Sequence, residues 1–185
     1  MNHSVLILHP CGYFDTSLID TVSADLEKEF SIRVEHGRCN IDISRFYDPG
    51  RRQYNANELM KSLYEIVADR DDARIMGLLR VDLYVPILTY IFGQAELGGR
   101  TGLASLYRLR SELYGLEINN KLLLERFRKV IMHEAGHLSG LIHCHNPVCI
   151  MRSSTYVEDI DQKDLWFCDS CRQKLDDGKD SASSI

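Results

Sequence analysis

An α/β fold with a mixed sheet is what this sequence predicts, and three observations carry that reading. Short apolar runs alternate with helical patterns along the first 110 residues. One long helical pattern, residues 119–140, follows them. Histidines and cysteines then gather in the last third, with "HEAGHLSGLIHCHNPVCIM" (133–151) holding four histidines, a glutamate and two cysteines in nineteen positions.

"SVLILHP" (4–10) is expected to be a fully buried first strand, stopped by Pro10, which has no N–H to give a ladder. "SLIDTVSADLEKEF" (17–30) repeats Leu18, Val22, Leu26 and Phe30 at helical spacing, and "SIRVEHG" (31–37) alternates as a strand does. Residues 44–54, rich in Arg, Tyr, Pro and Gly, are expected to be a loop. "NANELMKSLYEIVADR" (55–70) is an amphipathic helix with Asn55 or Asn57 as its cap. "RIMGLLRVDLYVP" (74–86) and "ILTYIFGQAEL" (87–97) look like strands, and "GGRTGLASLYRLR" (98–110) like a turn into another. The tail 176–185, "DDGKDSASSI", is small and polar and is expected to be disordered.

The helix over 119–140 has Asn119 or Asn120 to cap it and Gly140 to end it with positive φ. Leu123, Phe127, Val130, Ile131, Leu138 and Leu141 fall on one stripe, and Glu134 lies inside it. A carboxylate on a buried face is costly unless something engages it. His133 and His137, four apart, project from one face and can reach one ion at about 2.0–2.1 Å, with Glu134 beside them as a proton acceptor rather than a ligand. After Gly140 the chain can turn back to offer His143 as the third ligand; His145, two further on, is the alternative. Three neutral histidines leave a zinc ion its full charge, the setting in which water is activated and a carbonyl polarised.

Cys144, Cys149, Cys168 and Cys171 are spaced as two pairs, the second a C-x-x-C, and match a four-cysteine zinc site. Disulfides are the alternative. Adjacent side chains point to opposite sides of an extended backbone, so His143 can serve one ion and Cys144 another, giving two zinc ions per chain. The division that follows is an α/β portion over 1–140, a small metal-stapled lobe over 141–175 and the tail. The basic stretches "RRQY" (51–54) and "ERFRK" (125–129) read as solvated surface, and Tyr84, Tyr90 and Phe92 as strand core. Trp166 and Phe167 are expected to pack the small lobe, and His3, His9 and His36 to be structural or exposed.

The bulk properties set the remaining expectations. A net charge of −5 argues against nucleic acid. The N-terminus has no signal-peptide pattern and no run approaches a membrane-spanning length, so the expected compartment is the cytoplasm. With 185 residues the chain is expected to be one domain with an appended lobe, and a monomer.

"HEAGHLSGLIHC", "CIM" (149–151) and "CDSC" (168–171), in this order and spacing, resemble the archaemetzincins, a branch of the metzincin metallopeptidases. "VDLYVPILTYIFGQAEL" and "SLYRL" (105–109) resemble that family too. The resemblance implies a compact domain with a twisted mixed sheet packed on helices, a long active-site helix and a zinc-stapled C-terminal lobe. It implies catalytic zinc on His133, His137 and His143, Glu134 as general base, and structural zinc on the four cysteines. Met151 would be the Met-turn methionine beneath the catalytic zinc. The implied activity is hydrolysis of a peptide or protein substrate, with the peptide extended along a sheet edge within residues 87–110. Ser153 stands where some metzincins carry a zinc-binding tyrosine, so no phenolic ligand is expected, and the start of the chain close to its first strand leaves no room for an inhibitory propeptide. The competing reading is a non-enzymatic zinc-ribbon interaction module built on the four cysteines, which would have no use for a buried Glu134.

Overall fold

A computed structural model describes residues 4–38 and 40–182; His3, Cys39 and residues 183–185 lie outside them. Strand β1 (Val5–Pro10) alternates its side chains between the two faces of a five-stranded sheet. Leu6 and Leu8 enter one apolar cluster, Val5 and Ile7 the other. Helix α1 (Thr16–Phe30) covers the first face. Asp15 caps it by accepting the Ser17 N–H at 2.8 Å, and Ser31 ends it in the left-handed region. Strand β2 (Arg33–His36) pairs with β1 in parallel.

Residues 44–54, expected to be loop, hold more structure than their composition suggests. A 3-10 turn leads into β3 (Tyr47–Asp48) and β4 (Gln53–Asn55), which pair antiparallel. With β6 (Leu83–Tyr84) they make a small second sheet. Strands of two or three residues lack the length for a period-2 pattern to show. Asn55 caps α2 (Ala56–Val67), whose Ala56, Leu59, Leu63 and Val67 fill the second face of the main sheet.

Strand β5 (Ala73–Leu79) lies between β1 and β8 (Thr101–Ser105), parallel to both. Strand β7 (Gly93–Ala95) pairs antiparallel with β8. The order β2-β1-β5-β8-β7 leaves β7 at the edge. The expected strand over 87–97 is therefore cut to three residues. Pro86 and the Leu88 N–H bond back to Val85 O turn the chain, and Ile87 stands 92 % exposed.

Helix α3 (Asn120–Leu138) lies beside α1 on the first face and runs against β7 and β8. Asn119 accepts the Leu122 N–H at 3.0 Å as its cap. At the far end Gly140 takes φ +88°, with Gly140 N–H to His137 O at 2.9 Å and Leu141 N–H to Gly136 O at 3.0 Å. These two bonds are the Schellman stop that the glycine predicts. Helices α4 (Val157–Asp161) and α5 (Asp169–Ala182) follow. The second helix takes in part of the tail expected to be disordered, as far as residue 182, and Cys171 and Leu175 anchor its first turns in the core.

The basic stretch 125–129 also needs correction. Arg126 is 3 % exposed and binds Asp161 through Nε at 2.7 Å and Nη2 at 2.6 Å, and Leu109 O through Nη1 at 2.8 Å. Arg128 reaches Asp25. In 51–54, Gln53 is buried and Arg51 lies over the Tyr84 ring. Charge in a short window does not reveal a partner that is distant in sequence. Phe167 packs edge-on against Phe30 at 5.6 Å, so it joins the C-terminal segment to α1, while Trp166 sits under the Lys28 ammonium. His9 is buried and His36 contacts the Ser23 hydroxyl.

Candidate metal centre and active site

His133 and His137 sit one turn apart on α3, and the turn after Gly140 returns His143 toward them. One ring nitrogen of each of the three lies within 4.8 Å of the others. The Nε2 atoms of His133 and His137 are 3.1 Å apart. Their Nδ1 atoms are engaged behind: His133 Nδ1 with Ile150 O at 2.7 Å, His137 Nδ1 with Leu141 O at 2.8 Å. A backbone carbonyl can only accept, so each Nδ1 carries the proton and each Nε2 presents its lone pair to the shared point. Burial pushes all three imidazoles below their ordinary value, that of His133 furthest, and so favours the neutral, ligating form. The donor set fits a zinc ion. His145, the alternative ligand, is exposed and lies outside the cluster.

Glu134 is 6 % exposed, in the wall of a cavity of about 560 Å³ beside the three rings. Burial pushes its carboxyl up to about 8, against the opposing pull of the Lys163 ammonium. Strand β7 passes directly over it: a Cβ on Gly93 would lie 2.7 Å from Glu134 Oε1 and 2.8 Å from Leu103 O. Only glycine lets the edge strand run this close to the carboxylate.

The cavity is bounded by residues 88–95, by α3 through Lys129, Val130 and Glu134, and by Ser153–Tyr156 with Ile160 and Lys163. Tyr84 and Phe92 are buried as expected, and Phe92 also lines the cavity; Tyr90, expected to be strand core, is only half-buried and lines it too. Tyr90 Oη donates to Thr155 O at 3.2 Å and ties the two rims together.

Met151 is fully buried, in a tight turn closed by Arg152 N–H to Cys149 O at 3.0 Å. Its thioether lies against Gly136, where an added Cβ would collide with Sδ and come within 3.1 Å of Phe167 Cε1. Gly136 and Gly93 escape a sequence reading because nothing in the string says what will pass over them. Lys163 escapes it because "DQKD" looks like ordinary surface.

Cys144, Cys149, Cys168 and Cys171 bring their sulfurs within 4.8 Å of one another. All four thiols are free, and Cys144 and Cys168 Sγ stand 3.7 Å apart, far beyond a bond of about 2.05 Å, so the disulfide alternative is not adopted. Backbone N–H groups of Asn146 and Cys168 point at Cys144 and Cys149 Sγ, each at 3.4 Å. Such bonds favour thiolate, the ligating form. Burial raises the thiols of Cys149 and Cys171, a cost that a dication would offset. This set also fits zinc.

Three neutral imidazoles facing one point, a buried carboxylate in the adjoining wall and an open cleft define a zinc-dependent hydrolase. The model of peptidase family M54 matches residues 16–177. Archaemetzincins resemble the chain over nearly its whole length. That of Thermococcus kodakarensis is 35 % identical over 176 residues, 92 % of this chain and 95 % of the relative. That of Sulfolobus acidocaldarius is 41 % identical over 164 residues, 87 % and 90 %. The crystal structure of the Methanopyrus kandleri archaemetzincin superposes with a TM-score of 0.83 at 30 % identity, covering 96 % of both chains. That of the Archaeoglobus fulgidus archaemetzincin, complexed with malonate, gives 0.76 at 29 % identity, covering 92 % of this chain and 99 % of that one. The chain belongs to the archaemetzincins, peptidase family M54. It is a zinc metallopeptidase, whose substrates are peptides or proteins. No helix among the described residues is long and apolar enough to cross a membrane.

Proposed function

We propose that His133, His137 and His143 hold the catalytic zinc, that Glu134 is the general base, and that Cys144, Cys149, Cys168 and Cys171 hold a second, structural zinc. The observation that carries this reading is the pair of outward-facing Nε2 atoms 3.1 Å apart, each fixed from behind by a backbone carbonyl, with Glu134 in the cavity wall beside them. Zinc held there supplies Lewis acidity toward a water molecule and a peptide carbonyl. Glu134 takes the proton of the attacking water as oxygen bonds to the carbonyl carbon. It delivers that proton to the leaving nitrogen as the C–N bond breaks.

The peptide lies extended along β7, whose outer edge carries no strand partner among the described residues. Residues 93–95 line the cavity, so main-chain bonds to this edge would bring a scissile carbonyl toward the imidazoles. Met151 serves as the Met-turn residue beneath the zinc. Residues 1–140 supply the helix and substrate edge, and 141–175 the third histidine and the stapled turn. We further propose a cytoplasmic monomer with neither nucleic-acid nor membrane partners, in keeping with the charge of −5.

Glu134→Ala tests the mechanism. The variant should keep both metals and the fold, while turnover on any peptide that the parent cuts falls by about 10²–10⁴-fold. Unchanged turnover would refute Glu134 as base.

A further inference from the structure

The cavity beside the three imidazoles contains a charge that peptide hydrolysis, as described, leaves unused. Apart from the imidazoles, its titratable lining side chains are Glu134, Lys129, Lys163, Tyr90 and Tyr156. Lys129 is accounted for, because its Nζ donates to Ile160 O at 3.1 Å and Asp161 O at 3.3 Å at the end of α4. Lys163 is not. Its side chain is 5 % exposed, and among the described residues its Nζ has one hydrogen bond, 3.3 Å to Ile150 O. That carbonyl also accepts from His133 Nδ1, at the shorter distance of 2.7 Å. An ammonium carries three donors and is almost never buried without an anionic partner.

Among the described residues no carboxylate stands within 4.0 Å of this ammonium. Glu134 and Asp159 attract it only from farther away. Asp159 accepts the backbone N–H groups of Thr155 and Tyr156 at Oδ2, both at 2.8 Å, and Glu134 is given to the proton transfer. Burial accordingly pushes the Lys163 amine down to about 8. The surrounding wall, Tyr90, Phe92, Val130 and Ile160, is apolar or aromatic and would strengthen any charge pair formed inside it.

We propose that Lys163 makes this cavity a subsite for an acidic side chain of the substrate, glutamate in particular. The methylenes would pass between Tyr90, Phe92, Val130 and Ile160, and the carboxylate would end at Lys163 Nζ. The inference rests on the peptidase reading and adds to it a selectivity at one residue beside the scissile bond. The carboxylate of Glu134 opposes an incoming anion, and a zinc ion held by the histidines would offset that repulsion.

The experiment uses the zinc-loaded full chain and peptides amidated at the C-terminus, so that only a side chain can supply the carboxylate. Glutamate and isosteric glutamine are exchanged at each residue flanking the cleavage point. At one of the two positions kcat/KM for Glu should exceed that for Gln about tenfold. Lys163→Met should abolish or invert that ratio, Lys163→Arg should preserve it, and Lys129→Met should leave it near the parent value. Equilibrium binding of the same peptide pairs to the Glu134→Ala protein reads the preference without turnover. A parent protein that cuts or binds Glu and Gln peptides equally overturns the subsite. So does a Lys163→Met variant that slows both peptides alike and keeps their ratio. If Lys163→Met does not fold, the parent ratio and Lys163→Arg decide, since both read the charge in a folded protein. A protein that binds Glu over Gln peptides yet cuts none defeats the peptidase reading and leaves the subsite standing.

Discussion

At the scale of single residues, the least conspicuous side chains carry the tightest constraints. Gly136 lies between Glu134 and His137 on α3 and has no room for a methyl group, because Met151 Sδ and Phe167 occupy the space. Gly136→Ala must therefore push α3 away from the turn at 149–152. That turn also supplies Ile150 O, which orients His133. Overpacking of this kind costs about 1–3 kcal/mol. The expected outcome is a lower melting temperature together with weaker zinc binding at the histidines, measured by competition with a chelator. A variant with unchanged zinc affinity would show that the Met151 contact does not position the ligands. The motif around Gly136 was legible in the sequence because its residue types and spacing are fixed by coordination chemistry. The requirement for glycine was not, since Met151 and Phe167 reach it from 15 and 31 residues away.

At the scale of elements, the short turn 149–152 belongs to both candidate metal sites at once. Cys149 offers its sulfur to the thiolate cluster, Ile150 O holds His133, and Met151 O accepts the Cys144 N–H at 2.9 Å. His143 immediately precedes Cys144. Loss of the thiolate-bound metal should therefore loosen the histidine site, whereas loss of metal from the histidines leaves four thiolates in place. Metal analysis of protein prepared without chelator should give two zinc ions per chain. Mild chelation should remove the ion with an open coordination position first and abolish turnover with the fold nearly intact, because the closed site is entirely protein-ligated. Cys168→Ser should raise hydrogen exchange across 144–175 and weaken zinc binding at the histidines. The reading fails if the first zinc to leave already raises exchange throughout that segment.

At the scale of the whole molecule, the site hangs on one face of a sheet that is packed on both. The cluster around α1 and α3 takes in Met151, Phe167 and Cys171, so the active-site turn is continuous with the main core. The cluster around α2, on the other face, contains none of the proposed cysteine ligands. Leu63, 1 % exposed in that second cluster, provides the control. Leu63→Ala should cost about 2–5 kcal/mol. For a chain of this length that is a fall in melting temperature of about 4–20 °C. At 25 °C kcat/KM and zinc content should stay at parent values. A proportional loss of activity would mean that the two faces are coupled through the sheet.

The sequence alone determined the two candidate ligand clusters. Coordination geometry ties residue type to short spacing, so His133, Glu134, His137, His143 and the four cysteines could be read from 39 consecutive positions. It also determined the long elements: β1, α1, α2, β5 and α3 each repeat their pattern over several residues, and α2 and α3 carry the caps Asn55 and Asn119. Tertiary structure decided whatever depends on contacts between distant segments. The three-residue edge strand β7, the pairing of β3 with β4 and β6, the turning of Tyr90 and Phe92 into the cleft and the buried pair of Arg126 with Asp161 are of this kind. So is Lys163, a surface-like residue in its own window and a buried cation in the folded chain. Local pattern records only how a segment meets its own neighbours along the chain, whereas burial and charge pairing are settled by residues that folding brings from far along it.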